Sequence, residues 1–475
     1  MPSSDYVELR CRSAFSFLAG ASLPEDLVEH AAALGYDAIA LADRSGVDGA
    51  PRFFQAAKRA GIRAIVGADV VVAGTGTIHL LVEDRTGYRN LCRLLTAGAL
   101  GRAKGDAQVG WAQVEEHAPG LFCLAGGDEG PLVDPARAAA HLDRLVGIFS
   151  DRLAVDVHHH RDRVGARFAR RLADLAETHR VPVVATNDVR HATPQERPLL
   201  DVLTCIRLGT TVDAAGRRLL ANAERHLKSA AEMTALFSDT PAWIHESRRV
   251  TERCAFTLAD LPYRFPDYPL PPGETPQSFL RHLTFEGARV RWRPITPRVR
   301  RQLEHELAVV ARLELAGYFL IVWDIVRFCR ERGILCQGRG SAANSAVCYA
   351  LGITAVDAVG MELLFERFLS AERGEWPDID LDLPSGDRRE EVIQYVYRRY
   401  GTRGAAMTAT VISYRTRSAV REAGKALGLS LEQVDRLAKL LRAHGWSDEH
   451  DDLAAQLRNG GVDPNAPRIG LLVQV

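Results

Sequence analysis

Three aspartates alternate with apolar residues in the segment Pro377–Asp382, which reads PDIDLD. On a strand, this alternation places Asp378, Asp380 and Asp382 on one face. Carboxylates crowded on one face repel one another unless a cation lies between them, and oxygen ligands of this kind suit Mg²⁺. The segment therefore predicts an acidic strand that binds magnesium.

A glycine-rich turn comes earlier in the chain, at Gly338, Arg339, Gly340 and Ser341. It comes after a short apolar run and precedes a helix-like run that starts near Ala342. A turn of this kind at a helix start directs backbone N–H groups and the positive end of the helix dipole at an anion. A phosphate-binding turn followed by a metal-binding acidic strand is typical of nucleotidyl or phosphoryl transfer.

The whole-chain composition is that of an ordinary globular protein. The 475 residues are 47% hydrophobic and 25% charged, with a formal net charge of zero, and leave room for about two to four domains. The 8 cysteines form no C-x-x-C pair, which argues against a zinc ribbon or a disulfide framework. The chain shows no signal peptide and no apolar run long enough to span a bilayer, so we expect a soluble protein of the cytoplasm.

Short apolar runs alternate with amphipathic segments from Tyr6 to about Asp188, which predicts an α/β barrel with a parallel sheet. The predicted strands are 38–43, 64–72, 78–82, 121–124, 153–157 and 181–186. The predicted helices are 24–34, 51–60, 88–95, 136–149 and 164–178. Polar residues collect where the strands end, which is the ligand-binding rim of such a barrel. Polar caps and turns also lie at strand ends, so the pattern alone leaves both interpretations open.

The segments YVELRCRSAFSFLAGAS, ALADRSGVDG, GYRNLCRLL and VPVVATNDVRHATP resemble the polymerase and histidinol phosphatase (PHP) domain, the N-terminal barrel of bacterial C-family DNA polymerases. The resemblance implies metal-binding histidines at several strand ends. This chain has Arg10, Arg12, Arg44 and Arg190 instead, and a protonated guanidinium cannot ligate a metal.

We therefore expect the metal site of the barrel rim to be lost. The hypothesis is that the arginines neutralise Asp43, Asp69 and Asp188 through ion pairs. His158–His160 is the counter-evidence, although three successive residues of a strand cannot all face one ion, and at most one is expected to point inward.

The chain is predicted to divide into three parts. A PHP-like barrel over 1–230 is followed by a helical segment and Pro-rich linker over 231–276, and by a partial palm with inserted helices over 277–475. A basic run over 289–301 is either a phosphate-binding face or a solvated helix face. Trp323 and Phe328 lie in a segment that is apolar nearly all round, which favours burial over base stacking.

The order of glycine-serine turn and acidic strand resembles the polymerase-beta type of nucleotidyltransferase palm, with an insertion that contains Phe365–Leu369. The segments GYFLIVWDIV, GRGSAANSAVCYALGIT, LLFERFLSAERGEWPDIDLDLP and YRTRSAVREAGKALGL closely resemble the palm of the C-family polymerases. The segments GRGSAANS and PDIDLDLPSGDR are most similar in sequence to those of the error-prone branch, which copies DNA past lesions in the damage response.

The resemblance implies roles for individual residues. Asp378 and Asp380 match the carboxylates that hold Mg²⁺ in a two-metal site. Arg339, Gly340 and Ser341 match the turn that holds the incoming nucleotide, while Asp382 is expected to play a supporting or structural part. Further expected phosphate contacts are Arg367, Arg373, Arg415, Arg417 and Arg421.

The family also needs a third catalytic carboxylate, fingers, a clamp-binding segment and an oligonucleotide-binding domain, and none of these fits into the residues after Gly401. The acidic run Ser447–Leu453 is typical of a solvated helix start. We therefore interpret the chain as an N-terminal piece of an error-prone polymerase that does not extend a primed template alone. The expected partners are primed DNA and dNTPs, with a sliding clamp and other translesion proteins engaged through the missing half, and no membrane.

Two other functions stay open at this point. One is a metal-dependent phosphoesterase or exonuclease centred on the barrel, in which activity would depend on Asp43 or Asp188. The other is a non-catalytic module that binds DNA or protein and is insensitive to Asp378→Ala.

Overall fold

The computed structural model describes residues 5–261, 265, 267–369, 377–444, 457–458, 461 and 463–474. Packing groups the chain into two compact units. The first comprises Met1–Leu261 and Ile412–Val475, and the second comprises Pro262–Val411. The three-part division into 1–230, 231–276 and 277–475 remains a prediction.

The first unit is built on a six-stranded sheet in the order β1-β2-β3-β4-β5-β6. The pairs β1–β2, β4–β5 and β5–β6 are parallel, whereas β3 is antiparallel to both of its neighbours. The expectation of a wholly parallel sheet was therefore wrong. A turn of three residues joins β2 to β3, which is too short for the crossover that parallel strands require. The strands are β1 (Ala38–Arg44), β2 (Arg63–Val72), β3 (Gly76–Val82), β4 (Leu121–Leu124), β5 (Leu153–Val157) and β6 (Val183–Ala185).

The segment 8–12 connects the two edges of this sheet. On one side, the amides of Ala40 and Ala42 donate to the carbonyls of Glu8 and Cys11, at 3.0 and 2.9 Å. On the other side, the amide of Val189 donates to the carbonyl of Arg10 at 2.8 Å. The odd residues Leu9 and Cys11 are fully buried, and so are the side chains of Arg10 and Arg12. This segment places two arginines inside the barrel, and the α/β barrel expected from the sequence is confirmed.

Amphipathic helices surround the sheet and bury apolar residues such as Leu27, Phe53, Leu91, Leu145 and Leu172 against it. Asp84, Asp134 and Asp162 cap three of these helices by accepting backbone N–H groups, as N-cap residues commonly do. The helices are α1 (Pro24–Ala33), α2 (Ala50–Ala60), α3 (Arg85–Ala99), α4 (Trp111–His117), α5 (Pro135–Phe149), α6 (Arg163–Thr178), α7 (Arg197–Leu208), α8 (Val212–Ala215), α9 (Ala230–Leu236) and α10 (Pro241–Arg253).

The second unit packs helices around a core that includes Leu303, Phe319, Val347 and Phe365. Its two short strands, β7 and β8, form an antiparallel pair. The elements are α11 (Pro276–Arg291), α12 (Pro297–Arg312), α13 (Ala316–Glu331), β7 (Gln337–Arg339), α14 (Ala346–Leu351), β8 (Asp380–Asp382) and α15 (Asp387–Gly404).

Three further helices belong to the first unit, namely α16 (Thr416–Ala426), α17 (Leu431–His444) and α18 (Pro467–Gln474). Val420, Ala423 and Ile469 pack against Val202 and Cys205 of α7 in one apolar cluster. None of the helices in the described part of the chain combines the length and apolar character that a membrane span requires.

Candidate functional site

The β7–β8 pair brings the glycine-rich turn and the acidic strand together. In its register, Arg339 lies opposite Asp380 and Gln337 lies opposite Asp382. Nε of Arg339 donates to Oδ1 of Asp382 at 2.8 Å, and Nη1 lies 3.8 Å from Oδ2 of Asp380. The guanidinium is therefore a counter-ion for both strand carboxylates, and it is 60% exposed.

Asp378 lies just before β8 and is held through its backbone. The Ser341 hydroxyl donates to the carbonyl oxygen of Asp378 at 3.3 Å, and the amide of Ile379 donates to the Tyr318 hydroxyl at 3.0 Å. These bonds fix the main chain and do not involve the Asp378 carboxylate. Arg339 binds Asp382 more closely than Asp380. The carboxylates of Asp378 and Asp380 are therefore less tightly held by protein groups than that of Asp382.

The glycine-rich turn adopts a different local structure from the one expected. Gly340 has φ of 67°, a conformation that glycine adopts without strain. A 3₁₀ turn then covers Gly340–Asn344, so that the α-helix begins at Ala346 rather than near Ala342.

A carboxylate of the chain itself occupies the start of that helix. Glu306 of α12 is fully buried and accepts from the amides of Ala346 and Val347, at 2.9 and 3.0 Å, and from the Ser345 hydroxyl at 2.7 Å. Burial raises the pKa of Glu306, although these hydrogen bonds counteract part of the increase. The expectation that this helix start receives a phosphate was wrong, because its N–H groups already have an anionic partner.

A second buried carboxylate anchors the helix that comes after the acidic strand. Asp324 of α13 accepts from the hydroxyls of Tyr395 and Tyr400, at 2.7 and 2.9 Å, and from Arg327 at 2.7 Å. Burial alone would raise the pKa of Asp324, but these donors outweigh it and lower the pKa. Tyr395 also stacks on Phe328 with ring centroids 3.9 Å apart. Asp324 thus fixes α15 directly after β8.

The other arginines expected to contact phosphate are scattered. Arg367 is exposed in the second unit, and Arg415 and Arg417 are exposed in the first. Arg421 is paired with Asp435 at 3.2 Å. Arg373 and the acidic run 447–453 lie outside the described residues. Phe328 is buried and Trp323 is half-buried, covered by Arg327 at 5.3 Å from its ring.

The barrel interior contains two buried arginine–aspartate pairs. Arg10 Nη1 lies 2.6 Å from Oδ2 of Asp156, and Arg12 Nε lies 2.6 Å from Oδ2 of Asp69. Burial alone would raise the pKa of each carboxyl, but the adjacent guanidinium outweighs it and holds each pKa well below its usual range. Arg12 also reaches Glu129 at 3.0 Å. Both aspartates are therefore ionised and neutralised from within the chain.

Asp188 is surrounded by arginines at the mouth of the barrel. Arg190 lies 3.0 Å from its Oδ2, Arg10 lies 3.5 Å from its Oδ1, and Arg225 is also paired with it. Burial lowers the pKa of Arg190 to about 10, and the neighbouring charge of Arg12 contributes to the decrease. The arginines at 10, 12, 190 and 225 and their acidic partners thus form one network of ion pairs across the rim.

Asp43 and Arg44 do not follow the ion-pair hypothesis. Asp43 accepts instead from the amide and hydroxyl of Ser13, both at 2.8 Å, and from the hydroxyl of Ser16 at 2.7 Å. Its pKa is raised by burial, although the serine hydrogen bonds counteract it. The side chain of Arg44 is exposed and makes no ion pair with the described residues. Both residues end β1, but the strand turns Asp43 inward and Arg44 outward.

The adjacent histidines contradict the expectation that at most one points inward. His158 and His160 both line a cavity of about 550 Å³, with ring centroids 5.5 Å apart, whereas His159 faces Phe237. These three residues follow the end of β5 at Val157, so the alternation of a strand does not fix their directions. Burial lowers the pKa of His160 to about 2, with Arg225 adding to the decrease. Among the described residues, no group of three or more His, Cys, Asp or Glu side chains is arranged to hold a metal ion.

Sequence reasoning missed five residues that organise these sites: Glu129, Asp156, Arg225, Glu306 and Asp324. Asp156 carried a usable signal, because it lies inside a buried apolar strand, where an unpaired carboxylate is costly. Asp324 carried the same signal, because it lies in the apolar segment of α13. Glu129, Arg225 and Glu306 lie in loops or helices in which acids and arginines are common, so nothing in the local pattern marks them.

Two family models match the chain. The model described as the bacterial DNA polymerase III alpha NTPase domain matches residues 278–474, and the model of the PHP domain matches residues 8–160. A solved amidohydrolase from Chromobacterium violaceum, with bound sulfate and no metal, covers 39% of this chain and 87% of its own, with 16% identity and a TM-score of 0.28. That likeness is too low to carry an argument.

Curated relatives extend along nearly the whole chain, and all three described here are named error-prone DNA polymerase. The protein of Rhodopseudomonas palustris is 44% identical over 99% of this chain and 42% of its own length. Those of Rhodopirellula baltica and Alkalilimnicola ehrlichii are 42% and 44% identical, over 97% and 99% of this chain and 41% and 45% of their own. The chain thus spans less than half the length of these relatives.

Proposed function

Since the chain belongs to the error-prone branch of the bacterial C-family DNA polymerases, we propose that it carries the nucleotide-binding part of a centre that adds dNTPs to a primer 3′-hydroxyl opposite a DNA template. The proposed setting is damage-response synthesis past lesions in the cytoplasm. The observation that carries the proposal is the β7–β8 pair, in which Arg339 lies opposite Asp380, together with the bond from the Ser341 hydroxyl to the Asp378 carbonyl.

The donor set at the β7–β8 pair fits Mg²⁺. Asp378 and Asp380 present oxygen ligands beside open solvent, since the Asp380 side chain is 49% exposed, and hard cations prefer such ligands while keeping several waters. Asp382 is held by Arg339 at 2.8 Å, which supports its assignment to a structural part. Bound Mg²⁺ would lower the pKa of the primer hydroxyl and neutralise charge at the reacting phosphate.

The residues of the chain itself would bind and orient the nucleotide. Arg339 is exposed and attached to β7, so its guanidinium can exchange a carboxylate for a triphosphate oxygen at little cost in desolvation. The positive φ of Gly340 turns the backbone where a phosphate would approach. Ser341 supplies a hydroxyl, and its contact with the Asp378 carbonyl couples the turn to the metal ligands.

The experiment measures binding of a fluorescent dATP analogue to the full chain, with and without MgCl₂. We expect Mg²⁺-dependent binding that Asp378→Ala and Asp380→Ala each weaken at least tenfold. Asp382→Ala is the matched control on the same strand and is expected to change affinity less than threefold. Binding that is independent of both aspartates, or that depends equally on Asp382, contradicts the assignment.

Primer extension supplies a second measurement. We expect no templated incorporation by this chain alone, because the resemblance implies a third carboxylate in addition to Asp378 and Asp380. Incorporation that Asp378→Ala abolishes would contradict this expectation and show a self-sufficient centre. The sliding clamp and the other translesion proteins remain proposed partners of the longer polymerase.

A further inference from the structure

Two exposed aromatic rings form a stacked pair on the first unit. Phe17 lies in the loop after the segment 8–12, and Tyr414 lies just before α16. Their ring centroids are 5.9 Å apart, and their planes are inclined by 18°. Phe17 is 61% exposed and Tyr414 is 51% exposed. More than half of each side chain is in water, so this aromatic pair presents open ring faces.

Four arginines lie on or next to the segments that carry the aromatic pair. Arg415 comes directly after Tyr414, and Arg417 is two residues further on. Arg44 is linked to the Phe17 loop, since its amide donates to the Ser16 hydroxyl at 3.0 Å. Arg207 lies at the end of α7, which packs against α16 in the apolar cluster that contains Cys205 and Val420.

These four arginines are exposed and have no acidic partner within the described part of the chain. Some other arginines of the first unit are held in ion pairs, for example Arg52, Arg197, Arg248 and Arg253. Each of these four side chains therefore exposes a positive charge that no ion pair of the described residues compensates. The charge therefore favours a polyanionic partner over an apolar peptide.

We propose that the Phe17–Tyr414 pair and the arginines at 44, 207, 415 and 417 form a binding surface for single-stranded nucleic acid. Unpaired bases stack on the open ring faces, while the guanidinium groups contact the phosphates. A duplex keeps its base faces internal, so it can use the charges but not the rings. This surface contains no residue of the proposed nucleotide-binding turn or acidic strand, and the inference stands without them.

The test is fluorescence anisotropy of the full chain with a fluorescein-labelled oligothymidine of twelve nucleotides and with a duplex of the same length. We expect the oligothymidine to bind more tightly than the duplex. The double variant Phe17→Ala with Tyr414→Ala should weaken oligothymidine binding about tenfold or more, the equivalent of one stacked base, and duplex binding much less. The single variant Phe17→Tyr, with Tyr414 unchanged, keeps both aromatic rings. It should bind oligothymidine about as tightly as the wild type.

Three controls make the test decisive. Leu100→Ala removes an equally exposed apolar side chain of the first unit, 71% exposed, and should have no effect. Arg44→Gln with Arg207→Gln should reduce the salt dependence by about 1.4 in log–log slope, or about 0.7 for each lost phosphate contact. Asp380→Ala should leave oligothymidine binding unchanged. Unaltered binding by the double aromatic variant, or a loss that follows Asp380→Ala instead, overturns the proposal.

Discussion

Removal of the Arg12 guanidinium tests whether ion pairs maintain the barrel rim. Arg12 is 1% exposed, and its partner Asp69 is fully buried. Within the described part of the chain, the variant Arg12→Gln leaves the Asp69 carboxylate one side-chain hydrogen-bond partner, Nδ1 of His79 at 2.9 Å, and removes the Arg12 contact of Glu129. Removing one member of a buried ion pair costs about 3–5 kcal/mol, because the other charge stays desolvated. We expect Arg12→Gln to destabilise the first unit by about that amount.

The same rim provides a matched control. Arg44 was expected from the sequence to occupy an equivalent position, but its side chain is exposed and makes no ion pair with the described residues. Surface substitutions of this kind usually change the free energy of unfolding by no more than about 0.5 kcal/mol. The difference in the free energy of unfolding between Arg12→Gln and Arg44→Gln therefore measures the loss of the buried ion pair separately from the loss of one positive charge.

The stabilisation that the Arg12–Asp69 pair provides should depend on pH, and the sign of this dependence follows from the pKa of Asp69. The pKa of Asp69 is lower in the folded chain than its usual value near 3.9, since Arg12 outweighs the effect of burial. The stabilisation is therefore present above about pH 4 and is lost as the pH falls toward the folded pKa. The gap in stability between wild type and Arg12→Gln should be largest near neutral pH and should shrink in acid.

Hydrogen exchange of peptides from β2, combined with urea unfolding, gives the local and global readouts. We expect faster exchange across Arg63–Val72 and a lower urea midpoint in Arg12→Gln, and neither change in Arg44→Gln. Equal behaviour of the two variants, or a gap that widens in acid, would refute the ion-pair account of the rim.

Three further predictions concern buried carboxylates. Asp324→Ala should speed hydrogen exchange throughout α15 and cost about 1–3 kcal/mol, because its hydroxyl donors lose their acceptor, whereas Glu331→Ala on α13, at an exposed pair, should cost under about 1 kcal/mol. Glu306→Ala should speed exchange at the start of α14, measured by mass spectrometry of its peptides; unchanged protection would disprove the capping role. Burial raises the pKa of Glu8 to about 7, so its contribution to stability is present below about pH 4.5 and is lost as the pH rises through 7, and Glu8→Gln should remove this dependence from the melting temperature.

Much of the barrel was predictable because its signals are local. The strands predicted at 121–124 and 153–157 match β4 and β5 in their bounds, since each is an apolar run bounded by polar residues. The direction of β3 is also a local property. The turn before it is short, and parallel strands require a long connection, so the sequence already indicates an antiparallel pair. The start of α14 could not be predicted, because it depends on Glu306, forty residues earlier in the chain.

The candidate sites depend more heavily on long-range contacts. The register that places Arg339 opposite Asp380 joins residues about forty positions apart, and no local pattern specifies it. Asp43 and Arg44 show the same limit on a smaller scale. The sequence places both at a strand end, but the serines of a separate loop decide that Asp43 accepts hydrogen bonds from hydroxyl groups instead of pairing with arginine.

The two acidic sites of this chain balance their charge in ways that have opposite chemical consequences. Inside the barrel, Arg10 and Arg12 are buried and paired with Asp156 and Asp69. Their displacement would leave carboxylates desolvated, and a guanidinium cannot ligate or activate water as a metal does. At the β7–β8 pair, Arg339 is exposed, so water can solvate both partners when the ion pair opens. A buried cation that cannot leave keeps the barrel aspartates neutralised, whereas an exchangeable one is compatible with the proposed entry of a metal ion and a triphosphate at the β7–β8 pair.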